Sequence, residues 1–222
     1  MSRLIEILGA SPARVRVAPF VIFVALTFLQ GQFGEPGRYW IYLFKTLVGA
    51  WFIWTVRPFI AEMRWSFSWE AVVAGTAVFA AWVGLDGLYP KMSSPGQPWN
   101  PVLQFGAGST LAWFFVGVRV IGSTLVVPSL EEVFYRSFLY RYIAKPDFES
   151  VGLGEFLLKP FVVTALVFGV AHYEWLAGIL CAVVFQGLVL RKKRLGDAIL
   201  AHAVANLLLG LWVAGRGAWQ FW

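Results

Sequence analysis

The chain has 222 residues, of which 59% are hydrophobic and only 14% are charged. Soluble domains carry about 25% charged residues, so this composition excludes an ordinary soluble domain and favours a membrane protein. The net charge of +6 would suggest nucleic acid as the partner of a soluble protein. Here the basic residues lie mostly between apolar runs, so we interpret them as topological charge and expect no nucleic-acid partner.

Seven apolar runs are candidates for membrane-spanning helices, which need about 20 largely apolar residues. There is no repeat, linker or second domain, so we predict one transmembrane domain over residues 1–222. The predicted fold is all-α, a polytopic transmembrane helix bundle with about seven crossings. Residues 86–108, rich in Pro, Gly and Ser, form the only substantial predicted loop. The runs are residues 18–34, 39–56, 69–85, 109–144, 159–174, 176–190 and 196–214.

The run 109–144 would measure about 54 Å as a straight helix, too long for one upright crossing. Pro128 lies inside it and predicts a kink or a break, so the run is one kinked crossing or a hairpin of two. Two crossings would divide the basic residues of the loops and helix ends six against nine.

One crossing divides these basic residues twelve against three, as the positive-inside rule prefers. We therefore predict seven crossings with a cytoplasmic N-terminus and an external C-terminus, and the part 109–127 tilted or partly re-entrant. The external three are Arg38, Lys91 and Arg216, and the cytoplasmic twelve are Arg3, Arg14, Arg16, Arg57, Arg64, Arg141, Lys145, Lys159 and residues 191–194.

Ionisable groups inside the predicted spans are functional candidates, because charges are costly at membrane depth. Two adjacent glutamates follow Pro128, and neighbours on a helix point about 100° apart. The candidates are Lys45, Arg119, Glu131, Glu132, Arg136, His172, Glu174 and His202, with Asn206 as a polar amide.

Glu132 and Arg136 are four residues apart on one helix face, where they are expected to pair. The pair would leave Glu131 free to act as a general base. The alternative is a buried ion pair beside a protonated glutamate, with no chemical role.

The only two histidines of the chain both lie in apolar runs. His202 and Asn206 are four residues apart on one face of the last predicted helix, and both side chains can donate hydrogen bonds in one direction. This arrangement suits an oxyanion hole, although polar groups that merely bridge helices would follow the same pattern. Glu131, His172 and His202 lie about 20, 20 and 10 Å from the cytoplasmic ends of their helices. We therefore expect one cavity in the inner half to the middle of the bilayer.

Three motifs appear in order within these runs: EEVFYR at 131–136, FGVAH at 168–172 and HAVAN at 202–206. They resemble the pattern Glu-Glu-x-x-x-Arg, Phe-x-x-x-His, His-x-x-x-Asn of the CAAX-processing and bacteriocin-processing intramembrane proteases, also called the Abi or Rce1-like family. That family often has Gly where this chain has Ser137, a departure that we expect to be harmless. The chain is also similar in length to a compact subgroup found beside bacterial exosortase systems.

The resemblance implies an intramembrane glutamic endopeptidase and a role for each matched residue. Glu131 would activate water with the help of His172. His202 and Asn206 would stabilise the oxyanion. The implied substrate is a membrane-anchored protein or peptide, and its sequence is not indicated by the motifs.

The resemblance also implies a three-motif catalytic core over residues 109–214, in which Glu132 and Arg136 shape the site. Glutamate proteases of this kind need no metal or other cofactor. The implied location is the bacterial inner membrane, crossed several times, and the subgroup implies a link to an exosortase-type sorting system.

Three other functions fit part of the pattern. Glu131, His172 and His202 have the residue types of a catalytic zinc site, but the helical HExxH signature is missing. A non-catalytic membrane partner or immunity protein would keep the fold without the chemistry. A proton-coupled carrier would also bury Glu and His, but such carriers often contain an internal repeat, which this chain lacks.

Overall fold

The computed structural model describes residues 3–92 and 97–222. Within these ranges the chain forms nine helices and no strands, so the predicted all-α fold is confirmed. The helices are α1 (Arg3–Gly9), α2 (Pro12–Gln30), α3 (Gly34–Val56), α4 (Trp69–Gly84), α5 (Pro101–Phe105), α6 (Thr110–Ala144), α7 (Leu158–Val170), α8 (Trp175–Lys192) and α9 (Gly196–Arg216).

All of these helices except α1 and α5 correspond to the seven predicted runs. In the described part of the chain, α2, α6, α8 and α9 are long and apolar enough to cross a membrane, and α4 and α7 are shorter apolar helices. The chain is therefore a membrane helix bundle, as predicted. The short helix α5 lies inside the predicted loop 86–108, and residues 93–96 of that loop lie outside the described residues.

Helix α2 begins before the first predicted apolar run. The Ser11 hydroxyl accepts a hydrogen bond from the Arg14 backbone N–H, and Pro12 occupies the first turn, where its missing N–H costs nothing. Arg16 lies on the first turns of this helix and is 3% exposed. The sequence did not indicate that α2 begins at Pro12, because an arginine near the end of an apolar run normally indicates a segment that lies in water.

Helix α7 ends at Val170, earlier than the predicted run 159–174. The backbone N–H of His172 bonds to the Gly169 carbonyl 2.9 Å away, which closes a tight turn into α8. A Cβ on Gly169 would overlap the side chain of Ile179, so this glycine lets α7 and α8 approach closely. His172 and Glu174 therefore lie in a turn, and the prediction that they sit inside a span is wrong.

Helix α6 runs without interruption from Thr110 to Ala144, so a hairpin of two crossings is excluded. It contains two π-helical segments, Gly122–Val126 and Val133–Leu139. Pro128 lies two residues after the end of the first segment. Because proline has no backbone N–H, the hydrogen-bond pattern must change beside it, and a π-helical turn is one way to do so.

The chain alternates between two ends of the bundle. The "Arg16 end" contains the start of α2, the loop residue Glu62 and Arg141 near the end of α6, where Arg16 and Arg141 each lie 2.8 Å from Glu62. The "Trp222 end" contains the starts of α3 and α6, and the Trp99 N–H donates to the Trp222 carbonyl there. The start of α2 and the C-terminus therefore lie at opposite ends, as an odd number of crossings requires.

Candidate active site

The two adjacent glutamates of α6 enter different surroundings, as the helical repeat predicts. Glu132 is fully buried in the protein. Glu131 is partly buried and lines a cavity, and its Oε2 atom accepts no hydrogen bond from the described residues. Glu131 is therefore the carboxylate that faces open space inside the bundle.

Glu132 joins two other motif residues. Its Oε2 lies 3.2 Å from Arg136 Nε, which is the ion pair expected from the i,i+4 spacing. The N–H is not aimed for a hydrogen bond, so this is a charge contact only. Its Oε1 lies 2.9 Å from His202 Nδ1. One buried carboxylate therefore holds both the arginine of the first motif and the histidine of the third.

Aromatic rings surround the buried Arg136 guanidinium. Its central carbon lies 4.6 Å from the centre of the Phe168 ring, 5.6 Å from that of Tyr135 and 5.9 Å from that of Phe185. Cations are attracted to the faces of such rings, most strongly away from water. Phe168 thus connects the first two motifs, because its ring also stacks on His172 with centroids 4.5 Å apart.

The backbone determines which nitrogen of His172 is available. Nδ1 lies 2.7 Å from the Phe168 carbonyl oxygen. A carbonyl only accepts hydrogen bonds, so Nδ1 carries the hydrogen, and Nε2 of the neutral ring keeps a lone pair. The Trp82 ring packs edge-on against the imidazole at 5.6 Å and fixes its plane.

His202 has the same tautomer for a different reason. Glu132 accepts from Nδ1, so Nε2 of the neutral ring is again an acceptor and donates only in the imidazolium form. The sequence prediction that His202 donates towards an oxyanion therefore requires a protonated ring.

Asn206 donates to the backbone of α6, with Nδ2 2.8 Å from the Ser123 carbonyl. In the π-helical turn the Val127 N–H bonds to the Gly122 carbonyl. The next position in that register is Pro128, which has no N–H, so the Ser123 carbonyl lacks a helical partner. Asn206 fills this gap with one N–H and keeps a second N–H for another acceptor.

A cavity of about 560 Å³ brings the four predicted catalytic side chains together. Glu131, His172, His202 and Asn206 all line it, and the free, buried Cys181 lies in its wall. The cavity begins near the middle of the helices and extends towards the Trp222 end. The sequence placed the cavity in the inner half to the middle of the bilayer. With a cytoplasmic N-terminus the cavity would instead extend from the middle towards the outer face, because depth measured along single helices ignores how they are staggered.

Several lining residues received no role from the sequence. Lys45 and Arg119 were candidates only as charges within apolar runs, and both line the cavity. Trp82 and Tyr42 line it too, and nothing in the sequence distinguishes them from lipid-facing aromatic residues. Among the described side chains, no group of three or more His, Cys, Asp or Glu is placed to hold one metal ion.

The turn that carries His172 is fastened to the loop after α4. Glu174 accepts from the Tyr89 hydroxyl at 2.6 Å and forms an ion pair with Lys91. The Trp175 indole donates to the Pro90 carbonyl at 2.9 Å. Glu174 was a candidate for chemistry in the sequence, and the structure gives it contacts that position the turn.

Residues 116–208 match the family model described as type II CAAX prenyl endopeptidase Rce1-like. The matched segment contains all three motifs and most of α6, α7, α8 and α9. No curated protein and no solved structure matches the chain.

Proposed function

We propose that the chain, whose residues 116–208 match the Rce1-like family model, is a CAAX-type membrane protease and acts as a metal-independent glutamic endopeptidase. It hydrolyses a peptide bond of a membrane-anchored protein or peptide. The observation that carries this proposal is the arrangement of Glu131, His172, His202 and Asn206 around one cavity.

Glu131 and His172 are proposed to hold the attacking water. Both present acceptors, the carboxylate of Glu131 and the Nε2 lone pair of neutral His172. A water molecule that donates one hydrogen to each turns its own lone pair towards the substrate carbonyl. Glu131 then takes the proton, as a general base.

His202 and Asn206 are proposed to stabilise the oxyanion that forms on the carbonyl oxygen. His202 donates from Nε2 as an imidazolium, and Asn206 donates the N–H that Ser123 does not use. Donors fixed in advance in a site of low dielectric stabilise such a charge strongly. When the tetrahedral intermediate breaks, protonated Glu131 gives its proton to the leaving nitrogen.

A second candidate, a zinc-dependent protease, is favoured by one observation. Both histidines donate through Nδ1 and leave Nε2 free, which is the usual state of metal-bound histidines. The third candidate, a non-catalytic partner or immunity protein, would need the fold but not Glu131. We further propose a multi-pass location in the bacterial inner membrane and a link to an exosortase-type sorting system. The link is supported only by the resemblance in length.

The test is peptide hydrolysis by the purified chain in nanodiscs, with a library of lipid-anchored peptides and mass spectrometry of the products. We expect cleavage at a defined peptide bond. Asn206→Ala should lower kcat about a hundredfold with little change in KM, because it removes an interaction made in the transition state. The control Gln104→Ala removes an exposed amide outside the cavity. Absence of cleavage, or full activity of Asn206→Ala, would contradict the proposal.

A further inference from the structure

Two cations line the cavity without an acidic partner. Lys45 is 5% exposed, and its Nζ lies 3.0 Å from the Thr27 hydroxyl. The same Nζ lies 5.0 Å from the centre of the Phe23 ring and 4.7 Å from that of Tyr42. The hydroxyl and the two aromatic rings that contact this ammonium group are all neutral.

Arg119 approaches the same Tyr42 ring from α6. The central carbon of its guanidinium lies 5.1 Å from the centre of that ring, 4.7 Å from that of Trp99 and 5.2 Å from that of Trp222. Neither cation forms an ion pair with a described side chain, and residues 1–5 and 93–96 contain no acidic residue.

Two unpaired cations inside a membrane protein are energetically costly. Charged groups at membrane depth normally pair with one another or mark the path of a ligand. The aromatic faces compensate part of this cost, because cations are attracted to the faces of aromatic rings. The remaining charge is complementary to an anion that enters from outside.

We propose that Lys45 and Arg119 form a subsite for a carboxylate of the substrate, close to the bond that is cleaved. This inference rests on the proposed function, because it takes the cavity as the place of hydrolysis. The carboxylate belongs either to the free C-terminus of the substrate or to an acidic side chain. A lipid headgroup fits less well, because Lys45 is almost fully enclosed and lines the same cavity as Glu131.

The test measures binding in the inactive Glu131→Gln background, so that it does not depend on turnover. The probes are a palmitoylated neutral heptapeptide as the free acid, the same peptide as the C-terminal amide, and the amide with one glutamate. We expect at least one carboxylate-bearing probe to bind about tenfold or more tightly than the neutral amide, since a hydrogen bond to a charged group is worth this much. Comparison of the free acid with the glutamate peptide identifies the source of the carboxylate.

Lys45→Met and Arg119→Met should each abolish this preference, and Lys45→Arg and Arg119→Lys should retain it. Arg216→Met is the matched control, because it removes an exposed cation at the same end outside the cavity. Equal binding of all three probes to the parent chain would overturn the proposal, even if the methionine variants failed to fold. A lipid site would give a different result: the chain would prefer phosphatidylglycerol over phosphatidylcholine nanodiscs, this preference would depend on both cations, and the three peptides would bind equally. That result would also overturn the proposal. If the wild-type chain hydrolyses no peptide but the carboxylate-bearing probes still bind more tightly, the proposed function is rejected and the carboxylate subsite is retained.

Discussion

At the scale of single residues, Glu132 connects the side chains of the site, and Glu131 is the carboxylate to which we assign the chemistry. Glu132 contacts Arg136 and His202, and all three side chains are buried. Glu131 lines the cavity, and its Oε2 accepts no hydrogen bond from the described residues. Substitution of each carboxylate by its amide therefore separates structure from catalysis.

We predict that Glu132→Gln lowers stability as well as activity. It leaves Arg136 buried without a compensating charge, and breaking a buried pair in this way costs about 3–5 kcal/mol. The measurement is the melting temperature and membrane abundance of the purified variant, beside Glu131→Gln, which should match the wild type in both.

The double variant Glu132→Gln/Arg136→Met provides the control. It removes both charges, so abundance should recover while activity does not. If Glu132→Gln were as stable as the wild type, the pair would not support the site in the way described.

Sequence reasoning reached some of these contacts and missed others for physical reasons. The Glu132–Arg136 pair follows from local helix geometry, which the sequence encodes directly. The contact from Glu132 to His202 joins residues 70 positions apart, so it depends on helix packing. The hydrogen bond from Asn206 to the Ser123 carbonyl depends on a π-helical turn, and Pro128 is the one feature of the sequence that indicates an irregular helix there.

At the scale of helices and loops, the Arg16 end is held by one ionic cluster. Glu62 lies in the loop between α3 and α4 and pairs with Arg16 of α2 and Arg141 of α6. The Ser137 hydroxyl donates to Glu62 and accepts from Arg16 at 2.9 Å. The serine at the position where the family often has glycine is thus part of the contact between these elements.

We predict that this cluster weakens in acid. Burial raises the pKa of Glu62, but the hydrogen bond from Ser137 and the charge of Arg16 outweigh it and hold the pKa below its ordinary value of 4.5. A carboxyl group with a lowered pKa stabilises the fold above its unfolded pKa, and this contribution is lost as the pH falls through the folded value. The contribution of Glu62 should therefore be intact at neutral pH, and the melting temperature should fall as the pH drops below the ordinary pKa of 4.5.

Comparison with two variants isolates the effect. Glu62→Gln should melt lower than the wild type at neutral pH and depend less on pH. Glu155→Gln removes an exposed glutamate at the same end and should follow the wild-type curve. A Glu62→Gln curve parallel to that of the wild type would contradict this role.

At the scale of the whole molecule, the seven predicted apolar runs correspond to seven helices, because length and hydrophobicity are properties of continuous segments. The shape of the cavity was not accessible in this way. It depends on the position of α7, which ends early at Val170, and on aromatic residues that differ from lipid-facing ones only in their neighbours. The direction in which the cavity opens therefore came from the structure.

We predict a cytoplasmic N-terminus, with the Trp222 end of the bundle on the opposite side of the membrane. A reporter inserted after Lys193 should give a cytoplasmic signal, and one fused after Trp222 a periplasmic signal. With this orientation the cavity opens towards the periplasm. The reverse pair of signals would contradict the topology derived from the distribution of basic residues.

The central claim is that Glu131 activates water without a metal. The most direct measurement is peptide hydrolysis by the purified wild type and Glu131→Gln, each with and without excess chelator. A general base contributes about 10²–10⁴-fold, so Glu131→Gln should lose at least about a hundredfold in rate while its melting temperature is unchanged. Wild-type turnover should survive the chelator. Full activity of Glu131→Gln would contradict the account, and so would turnover that the chelator eliminates and added zinc restores.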